Sequence, residues 1–105
     1  MAHRVLDERE IRDTIISSLN GWRYDDGCLE TEYDFTTFEK AIAFMVECAP
    51  IISREDHHPD WRNVHNRLFV KYCTHDAGNK VTDKDIIMAK GLERIYRGGY
   101  SKYPN

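Results

Sequence analysis

The sequence predicts an α+β fold in which three helices cover one face of a four-stranded antiparallel sheet. Apolar residues recur every three to four positions in three segments, and they alternate with polar residues in the segments between them. The resulting order of elements is α-β-β-α-β-β-α. A chain of 105 residues without an internal repeat or a Pro/Gly-rich linker fits a single domain over residues 1–105.

The first predicted helix lies near the start of the chain. Asp7 and Glu10 have the spacing of a capping box, and Asn20-Gly21 supplies a stop signal. The next segment alternates apolar and polar residues on either side of Asp25-Asp26-Gly27, whose Asp-Gly step favours a tight turn. These patterns predict a helix followed by a β-hairpin.

A second helix is predicted to begin near Thr36, because Thr36 and Glu39 again have capping-box spacing. Pro50 lacks an amide donor, so we expect a kink or an early end there. A second hairpin follows, and its turn is placed at Asn66-Arg67 because asparagine tolerates a positive φ. The more apolar face of its second strand should meet the core, and it consists of Leu68, Val70, Tyr72 and Thr74.

The last predicted helix begins at Thr82 and ends at Gly98-Gly99. Thr82 and Asp85 form the third capping-box pattern. Just before this helix, strand alternation places His75 at a strand end, on the face opposite the core. A side chain in that position is accessible to a ligand.

Charge and composition exclude several classes of function. Fifteen Lys and Arg against eighteen Asp and Glu give a net charge of −3, which argues against direct nucleic-acid binding. No apolar stretch approaches a membrane span of about 20 residues, and the charged start lacks the apolar segment of a secretory signal. Cys28, Cys48 and Cys73 form no CxxC pair, so three thiols in a reducing compartment are expected. We therefore expect a cytoplasmic protein, with a nuclear location also open.

Four of the five histidines lie between positions 57 and 75, and function is expected there. Imidazole titrates nearest neutrality, so it donates or accepts a proton at little cost. Two neighbouring imidazolium charges repel, so His57 and His58 would together hold fewer than two protons and provide an acid and a base. Trp61 offers a flat surface suited to a planar heterocycle. Ordinary surface residues are the alternative interpretation, and a metal site is a weaker one because HxH and HExxH spacings are absent.

A resemblance to a known family covers nearly the whole chain. Positions 56–64, 74–78 and 82–85 read DHHPDWRNV, THDAG and TDKD, and they resemble the signature of the pterin-4a-carbinolamine dehydratase family. Gly21-Trp22 and the predicted second helix also stand where the family has a Gly-Trp pair and a Phe-rich second helix. This family is also known as the dimerisation cofactor of a homeodomain transcription factor. The resemblance implies a hydro-lyase that removes water from 4a-hydroxytetrahydropterin to give quinonoid dihydropterin in tetrahydrobiopterin recycling, without metal or added cofactor.

The resemblance also implies roles for the site residues. His57, His58 and His75 would surround the pterin and transfer protons to the leaving hydroxyl and from a ring nitrogen. Which histidine is the acid and which the base stays open. Contacts to the substrate are expected from Asp56, Trp61, Cys73, Thr74 and Asp76.

Two positions depart from the family pattern. Ser53 stands where the family commonly has an acidic residue, and His65 stands where it commonly has an aromatic one. The loss of this carboxylate would change the rate of the reaction rather than the kind of reaction, and Glu55 or Asp56 could compensate for it. His65 is expected either at the pocket edge or at the exposed surface.

The family resemblance further implies a homodimer or a dimer of dimers. A helix surface used for self-association can also meet the dimerisation segment of a transcription factor, so a non-catalytic scaffold is the alternative function. On the second helix the candidates for this surface are Ala41, Met45, Cys48 and Ile52, and the alternative is that most of them belong to the core of the monomer. No contact with nucleic acid or membrane is expected.

Overall fold

The computed structural model describes residues 4–101, and they adopt the predicted order of elements. The helices are α1 (Glu8–Ser18), α2 (Phe38–Glu55) and α3 (Asp83–Gly99). The strands are β1 (Arg23–Asp25), β2 (Cys28–Asp34), β3 (Asp60–Val64) and β4 (Arg67–Tyr72). All neighbouring strands are antiparallel, in the order β1-β2-β4-β3. The predicted α+β fold is confirmed.

The core lies between the three helices and one face of the sheet. The predicted inner face of β4 is confirmed, because Leu68, Val70, Tyr72 and the following Thr74 are all buried. Aromatic rings join this layer to the helices, and the ring centroids of Tyr33 on β2 and Tyr96 on α3 lie 4.2 Å apart in a stacked arrangement. The opposite face of the sheet carries the charged side chains and is not covered by a helix.

Local capping signals place α1 and α3 as predicted. Asp7 caps α1 and accepts from the amide of Glu10 at 2.8 Å, while the Glu10 carboxylate accepts from the amide of Asp7 at 3.2 Å. Thr82 is the residue that caps α3. No helix within residues 4–101 combines the length and apolar character that crossing a membrane requires.

Helix α2 differs from the prediction at both ends. It begins one residue later, because the hydroxyl of Thr37 rather than Thr36 accepts from the amide of Lys40, at 3.1 Å. It also continues through Pro50 to Glu55, so the predicted early end is wrong. Pro50 and Val46 are both exposed, and the Val46 carbonyl that loses its amide partner can be hydrated there.

The turn of the second hairpin is at His65-Asn66, one residue earlier than predicted. His65 takes the positive φ of 55°. Asn66 is held instead by Phe35, because its Nδ2 donates to the Phe35 carbonyl at 2.9 Å and its own carbonyl accepts from the Phe35 amide at 2.9 Å. This long-range anchor, which the local sequence does not reveal, fixes the register of the hairpin.

The four α2 residues considered for an association surface belong instead to the core of the monomer, which was the alternative interpretation. Ala41, Cys48 and Ile52 are buried in the core, and Met45 is partly buried against it. The exposed apolar stripe lies on the neighbouring face of the helix and consists of Phe38, Ile42 and Val46.

The expectation of three thiols is also wrong. Cys28 and Cys73 are disulfide-bonded, with their Cα atoms 4.9 Å apart. They are 45 positions apart in sequence but occupy the next cross-strand position after the Leu29–Tyr72 pair of β2 and β4. Sequence spacing alone hides this proximity. Cys48 keeps its thiol, and burial raises the pKa of that thiol to about 12.

Replacing Pro50 tests the continuous helix. Pro50→Ala should raise the free energy of unfolding by about 1–2 kcal/mol, because the Val46 carbonyl regains an amide partner. Urea denaturation followed by circular dichroism measures this change. Pro59→Ala, in the loop after α2, restores no helical hydrogen bond and should give no gain. An unchanged or lower stability for Pro50→Ala would contradict the helix as described.

Candidate active site

A buried carboxylate in the first turn of α3 organises the site. Asp85 is 0% exposed. Its Oδ2 accepts from the Thr82 amide at 2.9 Å and from the Thr74 hydroxyl at 2.8 Å. The Thr74 and Thr82 hydroxyl oxygens are 2.6 Å apart. Because Thr74 donates its one hydroxyl proton to Asp85, the Thr82 hydroxyl donates to Thr74, and every member of the network has a partner.

His57 uses the other oxygen of the same carboxylate. Its Nε2 lies 2.6 Å from Oδ1 of Asp85, and its side chain is only 14% exposed. An ionised carboxylate can only accept, so Nε2 donates and Nδ1 is left as the acceptor of the neutral ring. Asp85 therefore fixes the tautomer of His57.

Tyr72 fixes the plane of the His57 ring. The two rings stack with centroids 5.4 Å apart and planes 12° apart. The Tyr72 hydroxyl donates to the His57 carbonyl at 3.0 Å. Burial raises the pKa of Tyr72 above its ordinary value, so the hydroxyl keeps the proton that it donates. His57 is thus held in both orientation and protonation pattern.

His58 follows directly but is in a different environment. Asp56 ends α2 in a left-handed conformation with φ 50°, which turns the chain away from the helix. The His58 side chain is 67% exposed, and its Nε2 lies 3.7 Å from Oδ1 of Asp56, whose side chain is 96% exposed. Water screens such a pair, so it restrains His58 weakly. His58 can reorient toward a ligand.

His75 begins the 3-10 turn His75–Ala77 and is exposed. Its Nδ1 lies 3.3 Å from Oδ1 of Asn79, a long contact. The preceding Thr74 is buried in the Asp85 network, so the backbone of His75 lies directly beside that network. Asp76 is exposed on the same turn. Asp85 thus links His57 to Thr74. His58 follows His57 in the chain, and His75 follows Thr74.

The other predicted substrate contacts have different surroundings. Trp61 is half-buried against the core and borders a cleft of about 330 Å³, which Arg62, Phe69 and Lys71 line on the helix-free face of the sheet. None of the three histidines lines this cleft. Cys73 is disulfide-bonded and offers no thiol hydrogen. Among residues 4–101, no three His, Cys, Asp or Glu side chains are grouped as a metal site would require.

The structure separates the two carboxylates that could replace the one missing at Ser53. Glu55 accepts from Lys84 at 2.7 Å and from Arg54 at 3.2 Å, and the hydrogen bond from Lys84 holds the pKa of Glu55 below its usual range. Its carboxylate is therefore committed to tying α2 to α3. Asp56 is the carboxylate that faces a histidine.

His65 lies away from the site. It occupies the turn after β3, whereas His58 and Pro59 precede that strand, so the length of β3 separates them. Of the two expected positions for His65, the structure shows the exposed surface, where His65 is a turn residue.

Two residues of the site were not identified from the sequence. In the sequence, Asp85 stands out as a capping residue and as the last residue of the TDKD block, with no role in the site, and Tyr72 stands out only as part of the core. The contact between Asp85 and His57 spans 28 positions, so no local pattern reveals it. A buried carboxylate at a cap position, close in sequence to a histidine-rich segment, is the signal that could have drawn attention to it.

Together, the fold and the site define a small α+β protein that holds one histidine rigidly and two exposed histidines beside it, an arrangement suited to proton transfer. The sequence model described as Pterin 4 alpha carbinolamine dehydratase matches residues 4–95. The chain belongs to the pterin-4a-carbinolamine dehydratase family.

Known relatives agree with this assignment. A protein from Opitutus terrae that carries the family's name is 40% identical over 91 residues, covering 87% of this chain and 93% of that protein. One from Nitrobacter winogradskyi is 37% identical over 99 residues, covering 92% and 95%. The crystal structure of a transcriptional coactivator/pterin dehydratase from Brucella melitensis has a TM-score of 0.81 at 33% identity, covering 88% of this chain and 98% of that one.

Removing one hydroxyl tests the network around Asp85. Thr74→Val keeps the side-chain shape but takes a donor from Asp85 and an acceptor from Thr82, so unfolding should become easier by about 1–3 kcal/mol. Thermal and urea denaturation measure the loss. Thr36→Val, at an exposed threonine, is the matched control and should change stability by less than about 0.5 kcal/mol. Equal effects of the two substitutions would contradict the network.

Proposed function

We propose that the protein dehydrates a 4a-hydroxytetrahydropterin to the quinonoid dihydropterin, in tetrahydrobiopterin recycling. One proton is delivered to the leaving hydroxyl, the bond from carbon 4a to oxygen breaks, and one proton is removed from a ring nitrogen. Water and the quinonoid product result. The observation that carries this proposal is a histidine of the family signature, His57, whose Nε2 is held by a buried aspartate, so that Nδ1 is the nitrogen that can accept a proton.

His57 is suited to be the base. When it accepts a proton on Nδ1, the imidazolium remains hydrogen-bonded to Asp85, whose negative charge stabilises it. His58 and His75 are exposed, so an incoming substrate can reach them, and one of them serves as the acid for the hydroxyl oxygen. The three residues in these proposed roles are the three that the family resemblance implies.

The proposed pterin contacts follow from exposure. Asp56 and Asp76 present exposed carboxylates to the polar edge of the ring, and Trp61 presents part of its indole. The Thr74 hydroxyl is used by Asp85, and its amide and carbonyl are hydrogen-bonded to Lys80 and Asn79. Thr74 would therefore act on the ligand by positioning the neighbouring His75, whereas the disulfide-bonded Cys73 would contact the ligand through its backbone.

Histidine variants test the dehydratase. Added protein should accelerate the ultraviolet decay of chemically generated 4a-hydroxytetrahydropterin, and His58→Ala and His75→Ala should each slow that reaction by about 10²–10⁴-fold. His65→Ala is the matched control, because His65 is exposed at the far end of β3, and its rate should equal that of the wild type. No acceleration by the wild-type protein would reject the activity, and full activity in both site variants would reject the site.

We also propose an association function, which one observation favours. Phe38, Ile42 and Val46 form an exposed apolar stripe along α2, and Val46 is 67% exposed. Such a stripe is costly to leave in water, and a second copy of the chain would cover it in a homodimer or homotetramer. The related protein named as a transcriptional coactivator makes the dimerisation segment of a transcription factor a second possible occupant. A cytoplasmic location, with a nuclear one for the coactivator role, stays a prediction.

Size-exclusion chromatography at micromolar concentration tests the association. The wild-type protein should elute as a dimer or tetramer, and Val46→Asp should shift it toward the monomer, because the new charge would be buried at the contact. Ile16→Asp, at an exposed apolar residue of α1, should leave the elution volume unchanged. A monomeric wild-type protein would rule out self-association through this stripe.

A further inference from the structure

The Cys28–Cys73 disulfide lies at the end of the sheet that carries the site. The β2–β4 ladder ends at the Leu29–Tyr72 pair, and the disulfide extends the connection by one position. Cys73 is also the first residue of the segment 73–80, which we call the His75 loop. The disulfide therefore joins this loop to the start of β2.

The His75 loop has few other attachments to the protein. Its backbone hydrogen bonds are largely internal, since the Thr74 amide donates to the Lys80 carbonyl at 2.8 Å and the Asn79 amide donates to the Thr74 carbonyl at 3.1 Å. The Thr74 side chain attaches the loop to Asp85. The loop also packs against the turn between β1 and β2, where a Cβ on Gly27 would lie 3.1 Å from the Asn79 carbonyl oxygen. His75 and four other loop residues are exposed, so the disulfide is the covalent restraint on a surface segment.

The three cysteines differ in accessibility. Cys28 is buried at 5% exposure, whereas Cys73 is only partly buried. An attacking thiolate therefore reaches the sulfur of Cys73 and displaces that of Cys28. Cys48 lies in the core, and burial raises the pKa of its thiol to about 12, so it neither ionises nor exchanges at neutral pH.

We propose that Cys28 and Cys73 form a redox site at which dithiols set the mobility of the His75 loop. A thiolate of the dithiol bonds to the Cys73 sulfur and breaks the Cys28–Cys73 bond, and the released Cys28 thiolate takes up a proton. The second thiol of the dithiol then attacks the mixed disulfide and releases Cys73. Two electrons and two protons pass to the protein, which gains two thiols, and the dithiol becomes a cyclic disulfide.

The reduced loop keeps the Thr74–Asp85 hydrogen bond but loses its covalent attachment. Loss of a cross-link lets an exposed segment sample more conformations. His75 would then spend less time in its position beside the Asp85 network. The catalytic consequence, slower dehydration in the reduced state, rests on the proposed function, whereas the redox chemistry and the loop mobility do not.

Thiol counting tests the redox site directly. The full chain is equilibrated with mixtures of reduced and oxidised dithiothreitol, alkylated without denaturant and analysed by peptide mass spectrometry. Alkylation of the partly buried Cys73 should rise with the reduced fraction, while the buried Cys48 stays unmodified. A free Cys73 thiol even in fully oxidised dithiothreitol would overturn the proposal.

Hydrogen exchange tests the effect on the loop. Amides of residues 74–80 should exchange about tenfold faster in the reduced protein than in the oxidised protein, and those of α2 should be unaffected. Cys28→Ser and Cys28→Ala should both show fast loop exchange in either buffer, and either variant suffices if the other folds poorly. Equal loop exchange in oxidised and reduced wild-type protein would overturn the proposal.

The dehydration assay separates this proposal from the proposed function. Reduction should slow the wild-type reaction several-fold and leave the rate of Cys28→Ser unchanged. A wild-type rate that ignores the redox state would overturn the catalytic consequence. If neither state accelerates dehydration, the proposed function fails, and thiol counting and hydrogen exchange still decide whether the redox site exists.

Discussion

The fully buried carboxylate of Asp85 is the constraint on which the site and its surroundings depend. A buried charge without partners costs several kcal/mol, so the residues that satisfy it must be held together. These partners come from three segments: the loop after α2 through His57, the segment after β4 through Thr74, and the cap of α3 through Thr82. One side chain thus fixes the relative positions of the segments that carry the predicted catalytic histidines.

The same carboxylate gives the three histidines different environments. His57 is held by Asp85 and by the ring of Tyr72, whereas His58 and His75 are exposed and weakly restrained. A rigid proton acceptor needs a fixed tautomer, and residues that meet an incoming ligand need access to it. The segment that carries His75 has two restraints: the disulfide at Cys73, and the buried hydrogen bond from Thr74 to Asp85.

The parts of this structure that could be predicted depend on local patterns. The capping residue of α1, the Asp-Gly hairpin turn and the inward face of β4 all follow from neighbouring residues, and the family signature located the histidines. Three of the features that local patterns miss involve a distant partner. Asn66 is anchored to Phe35, Cys28 meets Cys73 across two strands, and Asp85 reaches His57 across 28 positions. Helix α2 continues through Pro50 because that side of the helix is exposed and water can bond to the Val46 carbonyl. The hydrophobic periodicity of the sequence does not indicate this.

The tautomer of His57 is the property that depends most closely on Asp85. Long-range nitrogen–proton NMR correlations distinguish the two neutral tautomers of each histidine. Neutral His57 is expected to carry its proton on Nε2 in the wild-type protein, and Asp85→Asn should lose this single preference while His65 is unchanged. A wild-type His57 protonated on Nδ1, or exchanging between both tautomers, would contradict the role of Asp85.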